Sequence, residues 1–318
     1  MTTVRLARPP KVLMMLTSDF VTARYDALRR RAPDIDVITE LQPGDNPDID
    51  ALFAFKLPAG IASRLPNLKL AASVGAGADG ILAAPDLPAH VRVTRTEELG
   101  LGLGMAQFVV MQILRHFRSQ PQLSAQHAAR EWQRVPVPDA RQVTVGIMGL
   151  GAIGSIVAGA VAQLGFKVEG WTRSASRETK FPSHVGAAGL HALLGASDYL
   201  VCLLPLTELT RDLLDKRTLS LLPRGAFVVN VARGGILVEN DLLALVDAGH
   251  LSGAALDVFA EEPLPRTSPL WDRPNIWITP HVAAQSLAEP AVDQFVANLR
   301  RLRGGEPLRN EVDRQHGY

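Results

Sequence analysis

The stretch "VTVGIMGLGAIGSIVAGAVAQLG", Val143 to Gly165, decides the fold. A short apolar run, "VTVGIM" (143 to 148), enters the pattern Gly149-x-Gly151-x-x-Gly154, and Ile153 to Leu164 then reads as a helix ended by Gly165. A strand that turns through glycines into a helix is the signature of a dinucleotide-binding βα unit. The glycines allow a tight turn and close packing, and the helix N-terminus turns its N–H groups and positive dipole end toward a pyrophosphate.

From this unit the alternation continues downstream. Strands are predicted at "FKVEGW" (166 to 171), "DYLVCLL" (198 to 204), "AFVVNV" (226 to 231), "GAALDV" (253 to 258) and "NIWIT" (275 to 279), separated by the helices "GLHALLGA", "DKRTLSLL" and "ENDLLALVDAG". Near-continuous apolar strands between helices predict a doubly wound parallel sheet, a Rossmann domain of six strands. Upstream, "KVLMML", helix "VTARYDALRRRA", "IDVIT", "ALFAF", helix "GIASRLP" and "LKLAASVG" predict a second, smaller, flavodoxin-like α/β lobe. A long helix, "LGMAQFVVMQILRHFRS" (103 to 119), follows the turn-rich "GLGLG", and "AAQSLAEPAVDQFVANLRRLRGG" reads as a C-terminal helix returning to the first lobe. The expected domains are 1–98 plus 286–318 for the substrate and 99–285 for the dinucleotide.

Two lobes suit a chain of 318 residues, and 47% hydrophobic with 20% charged residues is ordinary globular composition. The net charge of +1 supplies no general attraction to nucleic acid or anionic membrane, so neither is expected as a partner. The single cysteine, Cys202, lies in an apolar strand and excludes an intramolecular disulfide. The N-terminal apolar run Val12 to Leu16 is too short for a signal segment or a membrane span, and a cytoplasmic location is expected.

A second glycine pattern, Gly75-x-Gly77-x-x-Gly80, lies in "SVGAGADG" (73 to 80). "ILAAPDLP" follows it, and Pro85 and Pro88 prevent a long helix. Without that helix the pyrophosphate argument fails. The loop either presents backbone N–H groups to a carboxylate or is a turn needing positive φ at its glycines.

Beyond the second strand of the Rossmann unit, "VEGWTRSASR" offers no acidic residue to accept from a ribose 2′-hydroxyl. Thr172 is followed there by Arg173, Ser174 and Arg177. A guanidinium binds a 2′-phosphate bidentately, so NADP(H) is the expected cofactor, with NAD(H) as the possible alternative. Three ionisable residues follow later strands: Arg233 after "VVNVA", Glu262 before Pro263, and His281 after Pro280. An arginine, a carboxylate and an imidazole are what reduction of a 2-keto acid needs. The first binds the carboxylate and polarises the carbonyl, the imidazolium gives a proton, and the second keeps the imidazole charged and oriented.

"GIMGLGAIGS", "LLPLTELT", "VNVARGGILVENDLLALVDAGHLSGAALDVFAEEPLP", "SPLW" and "ITPHVAA" together resemble the D-2-hydroxyacid dehydrogenase family, of the glyoxylate/hydroxypyruvate reductase type. The resemblance spans nearly the whole large lobe and includes "SVGAGADG". It implies Arg233, Glu262 (rather than Glu261) and His281 as the catalytic set. For the cofactor it implies Gly149, Gly151, Ala152, Ile153 and Gly154, then Leu204, Pro205, Thr210, Val231, Ala232, His281 and Ala283, with Asp257 near the nicotinamide carboxamide. Backbone N–H groups of Val74, Gly75, Ala76 and Gly77 would join Arg233 and His281 around the substrate, between the two lobes, and no metal is implied. It further implies reduction to the D-2-hydroxy acid and a homodimer formed through the cofactor domain; Trp132, from the partner subunit as the resemblance suggests, and Trp271 are candidates to close the site, with buried aromatic packing as the alternative for each. Phe53, Phe55 and Leu57 are candidates for the substrate pocket, and a core strand explains the same pattern equally well. Two other readings use the same scaffold: a nucleotide-sensing corepressor-like binding protein, and a dehydrogenase of a larger or phosphorylated hydroxy acid.

Overall fold

The computed structural model describes residues 9–16, 18–173 and 180–317. It divides into two compact units, Met1–Leu101 with Gln285–Tyr318, and Gly102–Ala284.

The first unit holds β1 (Lys11–Met15), α1 (Ser18–Arg31), β2 (Asp36–Ile38), β3 (Ala51–Ala54), β4 (Leu70–Ser73), α2 (Asp79–Leu82) and β5 (Arg92–Thr94). Its strands are all parallel in the order β2-β1-β3-β4-β5, the flavodoxin-like order. Strand side chains alternate between two cores. Val12 and Met14 point into one with Phe53, and Leu13 points into the other with Leu52 and Ala54.

In the second unit, α3 (Leu99–Phe117, from Gly102 onward) and α4 (Gln120–Ala129) precede a βα alternation. Its elements are β6 (Thr144–Met148), α5 (Ala152–Gln163), β7 (Lys167–Thr172), β8 (Ser183–Val185), α6 (Gly186–Ala196) and β9 (Tyr199–Cys202). Then come α7 (Lys216–Leu219), β10 (Ala226–Asn230), α8 (Glu239–Asp247), β11 (Leu251–Leu256) and β12 (Ile276–Ile278). The sheet is parallel throughout, in the order β12-β11-β10-β9-β6-β7-β8. It is a Rossmann sheet extended by one strand, and its order reverses between β6 and β9, the switch point beside which ligands of such sheets bind. Both faces are covered. Leu200 and Val228 face one core, while Val201, Phe227 and Val229 face the other.

The last helix, α9 (Ala288–Gly304), packs on the first unit, where Phe295 stacks on Phe53 with ring centroids 4.4 Å apart. That contact bears on the two readings of this stretch, pocket or core. Phe53 and Leu57 are core residues, 1% and 2% exposed, and only Phe55 reaches solvent.

Candidate active site

In the second unit every strand is parallel, so the loops at the strands' carboxyl ends share one edge of the sheet. The loop after β6 carries Gly149, Gly151 and Gly154. Gly149 has φ +102°, open to glycine without strain. A Cβ on Gly154 would lie 1.8 Å from the Gly149 carbonyl oxygen, so backbone packs directly on backbone there. Gly151 is the N-cap of α5, with no side-chain cap and no acidic residue in the first turn. A Cβ built on it meets nothing within 4 Å. The helix therefore opens onto space, with its first amides uncapped by a side chain. This arrangement fits a pyrophosphate. Ala152 and Ile153 form the first turn.

Thr172 ends β7 and Arg173 follows it, both half-buried. Ser174 and Arg177 lie outside the described residues. After β9, Leu204 and Pro205 enter a tight turn in which the buried Thr210 hydroxyl donates to the Pro205 carbonyl at 2.7 Å and accepts from Thr207 N–H at 2.8 Å. Thr210 thus locks the turn. After β10, Val231 and Ala232 are buried, and the fully buried Asn230 accepts from Ala232 N–H and donates to the Arg233 carbonyl. Gly234 is required by packing, since a Cβ there would lie 1.8 Å from the Phe259 carbonyl carbon. The Arg233 guanidinium, half-buried, donates to the Ala232 carbonyl at 2.7 Å.

After β11 and β12 come the other two candidates. His281 Nδ1 lies 2.8 Å from Glu262 Oε2, and Glu262 Oε1 accepts from Phe259 N–H at 3.0 Å. Burial pushes the Glu262 carboxyl up, but the His281 hydrogen bond, the Phe259 N–H and the charges of His281 and Arg233 together hold it below the usual glutamate range. Glu262 is therefore an anion at neutral pH. His281 takes a positive φ of 55°, a strained setting for a non-glycine residue, and its N–H donates to the Asp257 carbonyl at 2.8 Å.

Asp257 holds this strained loop in place. It is 1% exposed, and its carboxylate accepts from the Thr279 hydroxyl, Val282 N–H and Ala283 N–H at 2.6 to 2.9 Å. Sequence reading missed this role, because the partner amides lie 25 or more residues downstream of Asp257, and it missed those of Thr279 and Asn230 as well.

The family model for the NAD binding domain of D-isomer specific 2-hydroxyacid dehydrogenases matches residues 110–283. The glyoxylate/hydroxypyruvate reductase A of Salmonella newport is 38% identical over 92% of this chain and 95% of its own, and that of Yersinia enterocolitica 36% identical over 92% and 94%. The chain belongs to the D-isomer specific 2-hydroxyacid dehydrogenases. Among solved structures of this dehydrogenase family, one from Xanthobacter autotrophicus Py2, in complex with NADPH and MES, superposes with a TM-score of 0.90 at 37% identity, covering 98% of this chain and all of that one. An NADPH-dependent glyoxylate/hydroxypyruvate reductase from Sinorhizobium meliloti, in complex with NADP and sulfate, gives 0.89 at 37% identity over 97% of this chain and all of that one.

The dehydrogenase's first unit carries the other glycine loop, after β4. Contrary to the positive-φ alternative, none of its three glycines has positive φ. Gly80 is needed for another reason, a Cβ there lying 2.7 Å from the Phe55 carbonyl oxygen. Of the four N–H groups expected to face a carboxylate, two are committed within the fold. Val74 N–H donates to the Ala54 carbonyl in continuation of the sheet, and Gly75 N–H to the Ser73 hydroxyl. Ala76 and Gly77 retain theirs. Trp271 is half-exposed with its indole N–H on the Pro265 carbonyl, and Trp132 is 98% exposed.

Proposed function

We propose that this dehydrogenase reduces a small 2-keto acid, glyoxylate or hydroxypyruvate, to the D-2-hydroxy acid with NADPH. The observation that carries the reading is the His281–Glu262 pair at 2.8 Å with the Arg233 charge beside it, at the carboxyl edge of a Rossmann sheet. The second unit acts as the cofactor domain and the first as the substrate domain. The Gly149–Gly154 loop holds the pyrophosphate, Thr172 and Arg173 lie at the adenosine ribose, and Leu204, Pro205, Val231 and Ala232 line the remainder. Bound NADPH supplies the hydride that adds to C2 of the acid.

The protein's own groups do the rest. Arg233 binds the carboxylate and draws electron density from the keto oxygen. Ionised Glu262 fixes the proton on His281 Nδ1, so the proton given to the developing alkoxide leaves from Nε2. Ala76 and Gly77 N–H groups take part in carboxylate binding. His281→Ala is expected to lower kcat by roughly 100- to 10,000-fold. Turnover near the wild-type value in that variant, followed by NADPH absorbance with glyoxylate, excludes His281 as the acid and removes the support for this reading.

Preference for NADPH rests on the absence of a carboxylate at the end of β7 and on the arginines that follow it. The relatives from Xanthobacter and Sinorhizobium crystallised with NADPH or NADP support it. The kcat/KM for NADPH is expected to exceed that for NADH, and Arg173→Ala to narrow the gap; a wild-type preference for NADH overturns it. A homodimer through the second unit is part of the same proposal. In its support, Leu103, Met111, Trp132 and Val137 of that unit are exposed apolar side chains. Among the described residues no helix is long and apolar enough to cross a membrane. A cytoplasmic location without nucleic-acid partners completes the reading, supported by the near-neutral charge and the buried thiol of Cys202.

A further inference from the structure

In a trans peptide the carbonyl and the following N–H point in opposite directions, so whatever holds the carbonyl also aims the amide. Four consecutive carbonyls of the Val74–Gly77 loop each accept from a different donor. Val74 accepts from the Ser286 hydroxyl at 2.6 Å, and Gly75 from Thr96 N–H at 2.9 Å. Ala76 accepts from Arg95 Nη1 at 3.4 Å, and Gly77 from the Ser73 hydroxyl at 2.5 Å. The donors are themselves anchored. Glu97 accepts from Arg95 Nη2, and the buried Arg24 donates to both the hydroxyl and the carbonyl of Ser286. Ser73, 1% exposed, accepts from Gly75 N–H at 3.2 Å while it donates to Gly77, and so closes the loop on itself.

This leaves the Ala76 and Gly77 N–H groups, which have no partner among the described residues, directed away from the carbonyl pins. An unpinned peptide in a glycine-rich turn rotates easily, and would then offer an anion the carbonyl oxygen instead of the N–H. We propose that Arg95 is a positioning residue for the substrate carboxylate: it pins the Ala76 carbonyl from behind and so fixes the direction of the Gly77 amide, as Thr96 N–H fixes that of Ala76 through the Gly75 carbonyl, while Ser73 holds the two flanking peptides. The inference rests on the reading of this loop as the carboxylate site. Its chemistry is general to any 2-keto acid, because the pinned amides address the carboxylate and not the side chain.

Steady-state kinetics with NADPH on the wild type, Ser73→Ala, Arg95→Met and Arg95→Lys test it, with glyoxylate and hydroxypyruvate as paired substrates. Arg95→Met is expected to raise KM for both acids by the same factor, roughly three- to tenfold for one lost hydrogen bond, and Ser73→Ala, which frees only the flanking peptides, by a smaller factor. kcat and the NADPH KM should stay at wild-type values. Arg95→Lys, which keeps a donor, should restore most of the loss. A purely structural role would instead lower the thermal midpoint without separating KM from kcat. Unchanged KM in Arg95→Met overturns the inference whether or not Ser73→Ala folds, and so does a KM effect confined to hydroxypyruvate, which would mean direct contact with its side chain. A wild type inactive on every 2-keto acid overturns the proposed function itself, and this inference with it.

Discussion

Gly149-x-Gly151-x-x-Gly154 and Gly75-x-Gly77-x-x-Gly80 follow the same spacing in different structural settings. In the first, a twelve-residue helix aligns the amides, and its glycines serve packing: Gly154 lets two backbone segments touch, and Gly151 leaves open space at the helix N-terminus. In the second, a four-residue helix can align little, and the amides are aimed one peptide at a time by donors behind the loop. A glycine spacing therefore reports backbone proximity. The means by which each would offer its amides to the proposed anion differ, and substitutions at corresponding positions should separate them.

Gly154→Ala should have the largest effect. Its Cβ would sit 1.8 Å from a carbonyl oxygen that cannot move without opening the turn, a backbone clash on the order of 3 kcal/mol or more. The thermal midpoint should fall by roughly 5 °C or more, and a midpoint equal to the wild type would show that the two backbone segments do not touch at Gly154. Gly151→Ala comes next and acts on a different quantity. Nothing lies within 4 Å of its Cβ, so stability should drop by no more than about 1 kcal/mol, the scale of an N-cap change. If the pyrophosphate takes that space, the Kd for NADPH should rise by about tenfold or more, as one displaced interaction would cause. Fluorescence titration checks this, and an unchanged Kd would put the cofactor elsewhere.

The difference between the loops also marks what a sequence can show. The Rossmann strands are legible because each is a continuous apolar run buried on both faces, and the Gly149 loop because strand and helix flank it. Two strands escape such reading: β5 has three residues, and β8, three residues at the sheet's edge, shows no apolar pattern. Packing overrides propensity at "GLGLG", which reads as a turn yet lies within α3. There a Cβ on Gly102 would come 2.4 Å from Ile156, so a small residue is worth its helix penalty. "GIASRLP" has the opposite outcome, shrinking to the 3-10 turn Ala62–Arg64 before Pro66. His281, Glu262 and Arg233 are legible as candidates from their residue types and places after strands, and as a set only through the family resemblance. Ser73, Arg95 and Asp257 are not, because their significance lies in which backbone atoms they hold.

The smallest effect is expected at Gly75, and its size tells which feature of the second loop matters. Its φ is not in the left-handed region, so alanine can adopt the backbone without strain. The nearest obstacle is the Phe55 ring edge, 3.1 Å from the added Cβ, and Phe55 is 45% exposed and able to turn aside. Its own N–H already donates to Ser73, so no amide aimed at the carboxylate is lost. Gly75→Ala should therefore cost less than about 1 kcal/mol of stability and leave KM for glyoxylate within a small factor of the wild type. Should Gly75→Ala instead abolish glyoxylate binding while Ser73→Ala leaves it intact, close approach of the substrate to bare backbone would be the loop's principle. The two glycine patterns would then work in the same way after all.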